Sequence, residues 1–388
     1  MNVLFLTHSF PRSQGDAPGS FLLRLAAALR DKSVNVRVVA PSAAGLASVE
    51  DIDGITVERF RYAPHRYEKL AYTGNMAQDV ASSWSARLAL IGFLGSDFAA
   101  GVRARRSFDP DVVHAHWWFP SGVIGTWVAR MSHRPLVTTL HGTDVRLART
   151  AAFSRPLFRH VLQHSAEVTT VSTWLANEAR ALVPSVNPVI APMPADTVRY
   201  SPGGRRETSR LLFVGRFTQQ KGLEYLLRAL SQMKRPAVID VVGNGGDSDR
   251  YRTMAQELCV SDRVAWHGQL RSDQLAGLYR AATALVVPSI DEGLGLVAVE
   301  ALLCETPVVA FRSGGLTDVI QDGRTGILVS PGDSAALAAA LDAVIAEPER
   351  ARTLGAAGRI YALSNFAPES AAQRYADIYK KVIDGYQA

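Results

Sequence analysis

Short runs rich in Val, Leu and Ile recur at 2–6, 35–40, 111–116, 136–140, 211–214, 237–242, 284–288 and 307–310, and apolar-periodic helical patterns lie between them. Apolar runs of that length, alternating with helices, predict parallel sheets covered on both faces. The runs 2–6 and 211–214 open the two halves in the same way. Each leads into a glycine-containing loop and then a helix, marked first by Phe21, Leu22, Leu25 and Leu29, later by Leu223, Leu226, Leu227, Leu230 and Met233. The expectation is an α/β protein of two Rossmann-like units with ligands at the carboxyl ends of the strands. A chain of 388 residues with 47% hydrophobic content can support two separate cores.

Pro184, Pro188, Pro192, Pro194 and Pro202-Gly-Gly interrupt every pattern near 185–205, so the division is expected there, with domains 1–198 and 199–368. A last helical segment, 369–384, carries Ala371, Ala372, Tyr375, Ile378, Tyr379 and Val382 on one stripe, a face for docking.

The stretch Ser289-Ile-Asp-Glu-Gly-Leu-Gly-Leu-Val-Ala-Val-Glu-Ala holds Glu292 and Glu300 with seven residues between them. On one helix the two carboxylates would be about 12 Å apart, too far for a paired acid and base. The spacing instead predicts Glu292 in a loop and Glu300 inside the helix that follows. Gly293 and Gly295 would then form a tight turn whose free amides, at a helix N-terminus, face an anion. In the stretch after strand 211–214, Arg216 and Lys221 precede an amphipathic helix. A helix start disfavours a cation, so a bound anion would account for Lys221, and a forked guanidinium beside a point charge suits a diphosphate. Solvated loop cations are the plainer reading of the same two residues.

Taken in order, these residues resemble glycosyltransferase family four, the retaining glycosyltransferases of GT-B fold. Gly215-Arg216-Phe217 with Lys221-Gly222 is similar to the family's Gly-Arg-x-x-x-x-Lys-Gly element, and Glu292 to Glu300 to its Glu-x7-Glu element. Thr7-His-Ser-Phe-Pro with Gly15 and Gly19 resembles the N-terminal acceptor loop. Pro110-Asp-Val-Val-His-Ala-His, Val137-Thr-Thr-Leu-His-Gly-Thr-Asp, Val242-Gly-Asn-Gly and Thr306-Pro-Val-Val-Ala with Gly314-Gly315 extend the likeness over nearly the whole chain. Three positions depart from the pattern: Pro192-Met-Pro-Ala-Asp196 replaces Pro-Asn-Gly-Val-Asp, Leu294 stands for the usual Phe, and Glu305 for a small residue. None removes a charged group of the motifs.

The resemblance implies a GT-B fold, two Rossmann-like parallel-sheet domains facing a cleft, the first binding acceptor and the second the nucleotide-sugar donor. The tail at about 369–388 would dock back on the first. It implies transfer of a hexose-type sugar, with retention, from a nucleoside diphosphate to an acceptor hydroxyl. Arg216 and Lys221 would stabilise the diphosphate, Glu292 the donor sugar's hydroxyls and Glu300 the ribose. The amides of Gly295 and Leu296 would meet sugar or phosphate, with Gly215, Gly243 and Gly293 on the donor side and backbone around Leu270 near the base. Gly15, Gly19 and His116 fall on the acceptor side, and His141, at the end of strand 136–140, would face the sugar. The donor sugar is then a substrate, and neither a cofactor nor a metal is expected. Asp109-Pro-Asp111 reads as a strand-entry turn, and His114 with His116 lacks a third ligand nearby. Trp117-Trp-Phe-Pro120 resembles members that build bacterial surface polysaccharide.

Charge bears on partners. Residues 1–200 hold 21 Lys plus Arg against 15 Asp plus Glu, and residues 201–388 hold 21 against 21, so the whole net charge of +6 lies in the first half. Arg103, Arg105 and Arg106 follow a segment, 76–102, with Trp84, Leu88, Leu90, Ile91, Phe93, Leu94 and Phe98. An anionic membrane surface or a lipid-linked acceptor would be drawn to that combination; an amphipathic helix packed on the first sheet fits it equally. No recognition motif for nucleic acid accompanies the charge. The apolar run 88–94 falls short of a membrane span, Met1-Asn-Val-Leu-Phe-Leu reads as a strand rather than a leader, and Cys259 and Cys304 suit buried thiols in a reducing compartment. These point to a cytoplasmic protein, able to rest on the inner face of a membrane. Two other functions fit the same pattern: an epimerase or phosphorylase on this fold, or a non-catalytic sugar-nucleotide-binding subunit. The loop 7–19 lacks the Gly-x-Gly-x-x-Gly spacing of a dinucleotide oxidoreductase.

Overall fold

A computed structural model describes residues 1–72 and 76–387. The chain divides into two compact units, one of residues 1–194 with 368–388 and the other of 195–367.

The first unit is built on eight strands, β1 (Asn2–Leu6), β2 (Asn35–Pro41), β3 (Val49–Ile52), β4 (Ile55–Phe60), β5 (Val112–His116), β6 (Leu136–Leu140), β7 (Glu167–Thr170) and β8 (Val189–Ile190). Their order is β3-β4-β2-β1-β5-β6-β7-β8, parallel throughout except for the β3–β4 hairpin at one edge. The second unit has β9 (Arg210–Val214), β10 (Val238–Val242), β11 (Val264–Gly268), β12 (Ala284–Val287), β13 (Val308–Phe311) and β14 (Gly326–Val329). Its order is β11-β10-β9-β12-β13-β14, all parallel. Both sheets are doubly wound, and the strand order reverses between β1 and β5 and again between β9 and β12. Ligands of such sheets bind outside the carboxyl ends of the strands at that reversal.

Leu4, Leu6, Val113 and Ala115 are wholly buried on one sheet, and Leu211, Phe213, Ile239 and Val241 nearly so on the other. Val, Leu and Ile at these positions account for the unbroken apolar runs. The terminal helix Pro368–Gln387 packs on the helix Ser20–Arg30 within the first unit. Its Ala371, Ala372, Tyr375, Ile378, Tyr379 and Val382 are buried. The Tyr375 hydroxyl donates to the Ala191 carbonyl at 3.0 Å.

Two details depart from the sequence reading. The run 88–94 lies inside a helix of 25 residues, Trp84–Phe108, long and apolar enough to cross a membrane by length and composition. That helix lies on the first sheet, with Phe93, Ala100 and Ala104 in the core. Cys259 is exposed rather than buried, because the helix Ser248–Glu257 ends before it and its own φ is +54°. Asp109-Pro-Asp111 forms the expected strand-entry turn: Asp109 closes the helix Trp84–Phe108 at φ +45°, and the Asp111 carboxylate, just before β5, accepts the Asn2 amide at 2.8 Å.

Candidate active site

Four loops at the carboxyl end of the second sheet are tied together. Behind β9 the chain passes through Gly215, Arg216 and Phe217 to a 3₁₀ turn, Gln219–Lys221, and the helix Leu223–Gln232 starts after Gly222. The Phe217 amide donates to the Asn244 carbonyl behind β10 at 2.8 Å. The Ile290 amide behind β12 donates to the Gln220 carbonyl at 2.8 Å, and the Gly315 amide behind β13 to the Glu292 carbonyl at 2.8 Å.

Close approach explains the glycines. A Cβ on Gly243 would stand 1.9 Å from the Gly215 carbonyl oxygen, and one on Gly222 1.9 Å from that of Pro288. Both residues also have positive φ, +132° and +68°. Gly243→Ala should therefore destabilise the second unit by about 1–3 kcal/mol through overpacking. Urea unfolding checks this against Gly246→Ala, where a Cβ meets nothing within 4 Å; equal stability of the two variants would contradict the packing.

Glu292 lies in the loop and Glu300 inside the helix Leu296–Leu303. Gly295 caps that helix at φ +90°; the other left-handed residue of the turn is Asp291, at φ +55°, and not Gly293. Lys221 Nζ donates to Glu292 Oε2 at 2.6 Å. A cation at the end of the 3₁₀ turn is thus matched by a carboxylate of the same unit. Burial pushes the Glu292 carboxyl up, but the Lys221 ammonium, with hydrogen bonds from Ser289 and the Gly293 amide, outweighs it and holds the group below the usual range. Glu300 Oε2 accepts the Tyr279 hydroxyl at 2.9 Å. Burial, and then the Glu300 charge, raise that phenol well above its ordinary value. Arg216 is exposed in the loop before the Lys221 turn. Leu270 follows β11, where Gly268 accepts the Gly243 amide at 2.8 Å and His267 Nε2 lies 2.6 Å from Asp240 Oδ1.

In the first unit, histidines and aromatic rings gather at the carboxyl ends of β1, β5 and β6. His116 Nδ1 lies 3.2 Å from His141 Nε2. The Trp117 ring lies 4.2 Å from His141 and 4.3 Å from His8 between centroids. Gly19 opens the helix Ser20–Arg30 at φ +70°, where a Cβ would meet the Ser9 oxygen at 2.5 Å; Gly15 has φ +83° and open space around it. The buried atoms His8 Nδ1 and His116 Nε2 have no hydrogen-bond partner among the described residues. His8, Trp117 and Asp144 fall inside motifs visible in the sequence, which give them no role of their own. Asp144 accepts amides of His141 at 3.1 Å, Gly142 at 2.8 Å and Val145 at 3.0 Å, and so fixes the turn that presents His141. Burial raises its carboxyl to about 6 against those amides. An Asp two residues beyond a glycine at a helix start was the available signal.

His114 serves structure. Its Nδ1 meets the Tyr379 hydroxyl at 2.6 Å and its Nε2 the Thr139 hydroxyl at 2.7 Å. Burial holds His114 and His116 well below the usual imidazole range, with a neighbouring histidine adding to the effect in each case. The unfolded chain takes up protons below about pH 6.5 while these two buried rings stay neutral, so stability is present above that pH and is lost as pH falls. Each should contribute about 1.4 kcal/mol per pH unit below 6.5. Urea unfolding at pH 7.5, 6.5 and 5.5 should show the loss begin below 6.5, and a flat profile would contradict it.

Comparison with known proteins agrees with this arrangement. Residues 17–194 match the glycosyl transferase 4-like domain and residues 199–361 the glycosyl transferases group 1. D-inositol 3-phosphate glycosyltransferase 1 of Catenulispora acidiphila is 33% identical over 74% of this chain and 76% of its own. D-inositol 3-phosphate glycosyltransferase of Streptomyces bingchenggensis is 30% identical over 99% and 90%. Among solved structures, sucrose-phosphate synthase from Thermosynechococcus elongatus superposes with a TM-score of 0.81 at 23% identity, over 99% of this chain and 100% of that one. Anabaena HepE in complex with UDP-glucose gives 0.74 at 20% identity, over 98% and 100%. With two doubly wound sheets, the paired motifs in order and relatives matching along its length, the chain belongs to the group 1, family-four glycosyltransferases of GT-B fold.

Proposed function

We propose that the chain transfers a hexose from a nucleoside diphosphate sugar to an acceptor hydroxyl with retention of configuration. The observation that carries this reading is the Lys221–Glu292 pair at the strand-order reversal of the second sheet, beside Arg216 and a helix N-terminus. A diphosphate gains negative charge as it leaves, and fixed cations and amides stabilise it without reorganising. Arg216 and Lys221 take that role. Glu292 is held as an anion within reach of sugar hydroxyls, and Glu300, one helix turn or more further in, meets the ribose. The amides of Gly295 and Leu296 face sugar or phosphate, and backbone near Leu270 faces the base.

In the reaction the bond from the anomeric carbon to the diphosphate oxygen breaks. The acceptor oxygen bonds to that carbon on the same face, and its proton passes to the departing phosphate oxygen. Glu292 accepts from Lys221, Ser289 and Gly293, which lowers its basicity and suits it to positioning rather than to nucleophilic attack. In the first unit His116, with Gly15 and Gly19, forms the acceptor side, and His141 faces the sugar near the reacting carbon. Buried ring nitrogens of His8 and His116 offer a hydroxyl-bearing ligand two hydrogen-bonding positions. Trp117 beside them favours a sugar ring, and assembly of a polysaccharide or glycolipid fits that acceptor class.

Thermal stabilisation by a panel of uridine, guanosine and adenosine diphosphate sugars, with the free diphosphates, tests the donor. A ligand at 100 times its Kd should stabilise by about 2.7 kcal/mol. The uridine series comes first because HepE was solved with UDP-glucose. Failure of every nucleotide to raise the melting temperature would refute the donor site.

A further inference from the structure

The helices on one face of the first sheet turn both apolar and basic groups outward. Phe93 and Ala100 of the helix Trp84–Phe108, and Ile124 and Val128 of the helix Val123–Ser132, pack into one core with that sheet. The helix Arg155–Gln163 adjoins them through Phe158, which meets the Trp118 ring at 5.4 Å. On the outer side, Trp84, Leu88 and Ile91 occupy successive turns, and Trp84 is 75% exposed. Trp127 and Met131, one turn apart, are exposed on the next helix, and Phe153, just before the third, is 86% exposed.

Charge on this layer is mainly positive, although Arg149 pairs with Glu178 at 3.1 Å. Residues 83–166 hold ten arginines against four aspartates, a balance of +6 that equals the net charge of the whole chain. Asp97 and Asp144 are buried. Asp109 lies 3.5 Å from Arg134, and Asp111 accepts the Asn2 amide. Arg103, Arg106 and Arg130 are exposed, and the Arg87 guanidinium lies 5.3 Å from the Trp84 ring centroid. Single exposed apolar residues need no explanation, but six on one helical layer beside the exposed Arg103, Arg106 and Arg130 do. Aromatic and aliphatic groups that enter the headgroup boundary, ringed by arginines that meet lipid phosphate, form an interfacial binding surface. The core contacts of the helix Trp84–Phe108 keep it on the sheet, so contact is lateral and the helix does not span.

We propose that the outward face of these three helices docks on an anionic phospholipid bilayer. This goes beyond the transferase reading and does not depend on it. Flotation with phosphatidylglycerol–phosphatidylcholine vesicles, against pure phosphatidylcholine, tests it. The unmodified protein should float with the anionic vesicles only. Trp84→Ser with Leu88→Ser, Ile91→Ser and Trp127→Ser should weaken binding about tenfold or more, as should Arg103→Glu with Arg105→Glu and Arg106→Glu. Binding should also fall with salt, since surface charge is screened over about 8 Å at physiological ionic strength. Thermal stabilisation by nucleotide sugars should be unchanged in both variants, which separates this surface from the donor site. The proposal is overturned if the protein ignores anionic vesicles, binds neutral ones equally, or floats undiminished in both variants. A dimer that the serine variant converts to monomer, with no flotation of the unmodified protein, would assign the face to a second copy instead.

Discussion

Replacing Lys221 or Arg216 by alanine should each lower sugar transfer by about 10²-fold or more, the loss expected when one preorganised transition-state donor is removed. The two substitutions differ in their structural consequences. Lys221 is the close cationic partner of Glu292, so its removal leaves a part-buried carboxylate without its ammonium, and some loss of stability accompanies the loss of rate. Arg216 is exposed, and its removal should cost less stability than removal of Lys221. Steady-state kinetics with urea unfolding of both variants distinguish the effects. Near-normal turnover in the two purified variants would remove the diphosphate assignment.

Glu300→Gln should weaken binding of the free nucleoside diphosphate about 10- to 100-fold, since a charged hydrogen bond contributes about 1.5–3 kcal/mol. Glutamine can still accept from the Tyr279 hydroxyl, so the helix Leu296–Leu303 should keep its packing. Glu292→Gln, by contrast, should chiefly reduce turnover. Calorimetric titration separates the two, and unchanged nucleotide affinity in the Glu300 variant would contradict the ribose contact.

The sequence made the inner strands and the two glutamate environments legible because local signals specify them. Eight apolar runs became β1, β2, β5, β6, β9, β10, β12 and β13, each within a residue or so at its ends. The other six strands carry weaker patterns. β7 is Glu-Val-Thr-Thr, and Thr169 and Thr170 are fully buried with their hydroxyls bonded, so a core strand looks polar in sequence. β11 is partly exposed, β8 has two residues, and β14 begins at Gly326, where a Cβ would meet the Val308 oxygen at 2.5 Å. Cys259 has apolar neighbours, yet the helix ends two residues earlier. Glu305, standing where the family has a small residue, adopts φ +59°, which explains the family's preference but not its replacement here.

Within the site, the glycine spacing located Glu292 in a loop, whereas its pairing with Lys221 joins residues 71 apart and no local pattern records it. A helix-start lysine suggested an anion, and the nearest anion is a side chain of the same unit. The histidine pair His116–His141 spans β5 and β6 and is likewise a product of strand register, which sets His116 opposite Thr139.

Retaining transfer is tested most directly by proton NMR of the reaction, with the α-linked nucleotide sugar that best stabilises the protein and an acceptor panel that includes inositol 3-phosphate and lipid-linked sugars. Retaining transfer predicts one nucleoside diphosphate released per new glycosidic bond, with the anomeric configuration of an α-linked product. A β-linked product would contradict retention, and conversion of the donor sugar with no new acceptor linkage would contradict transfer itself.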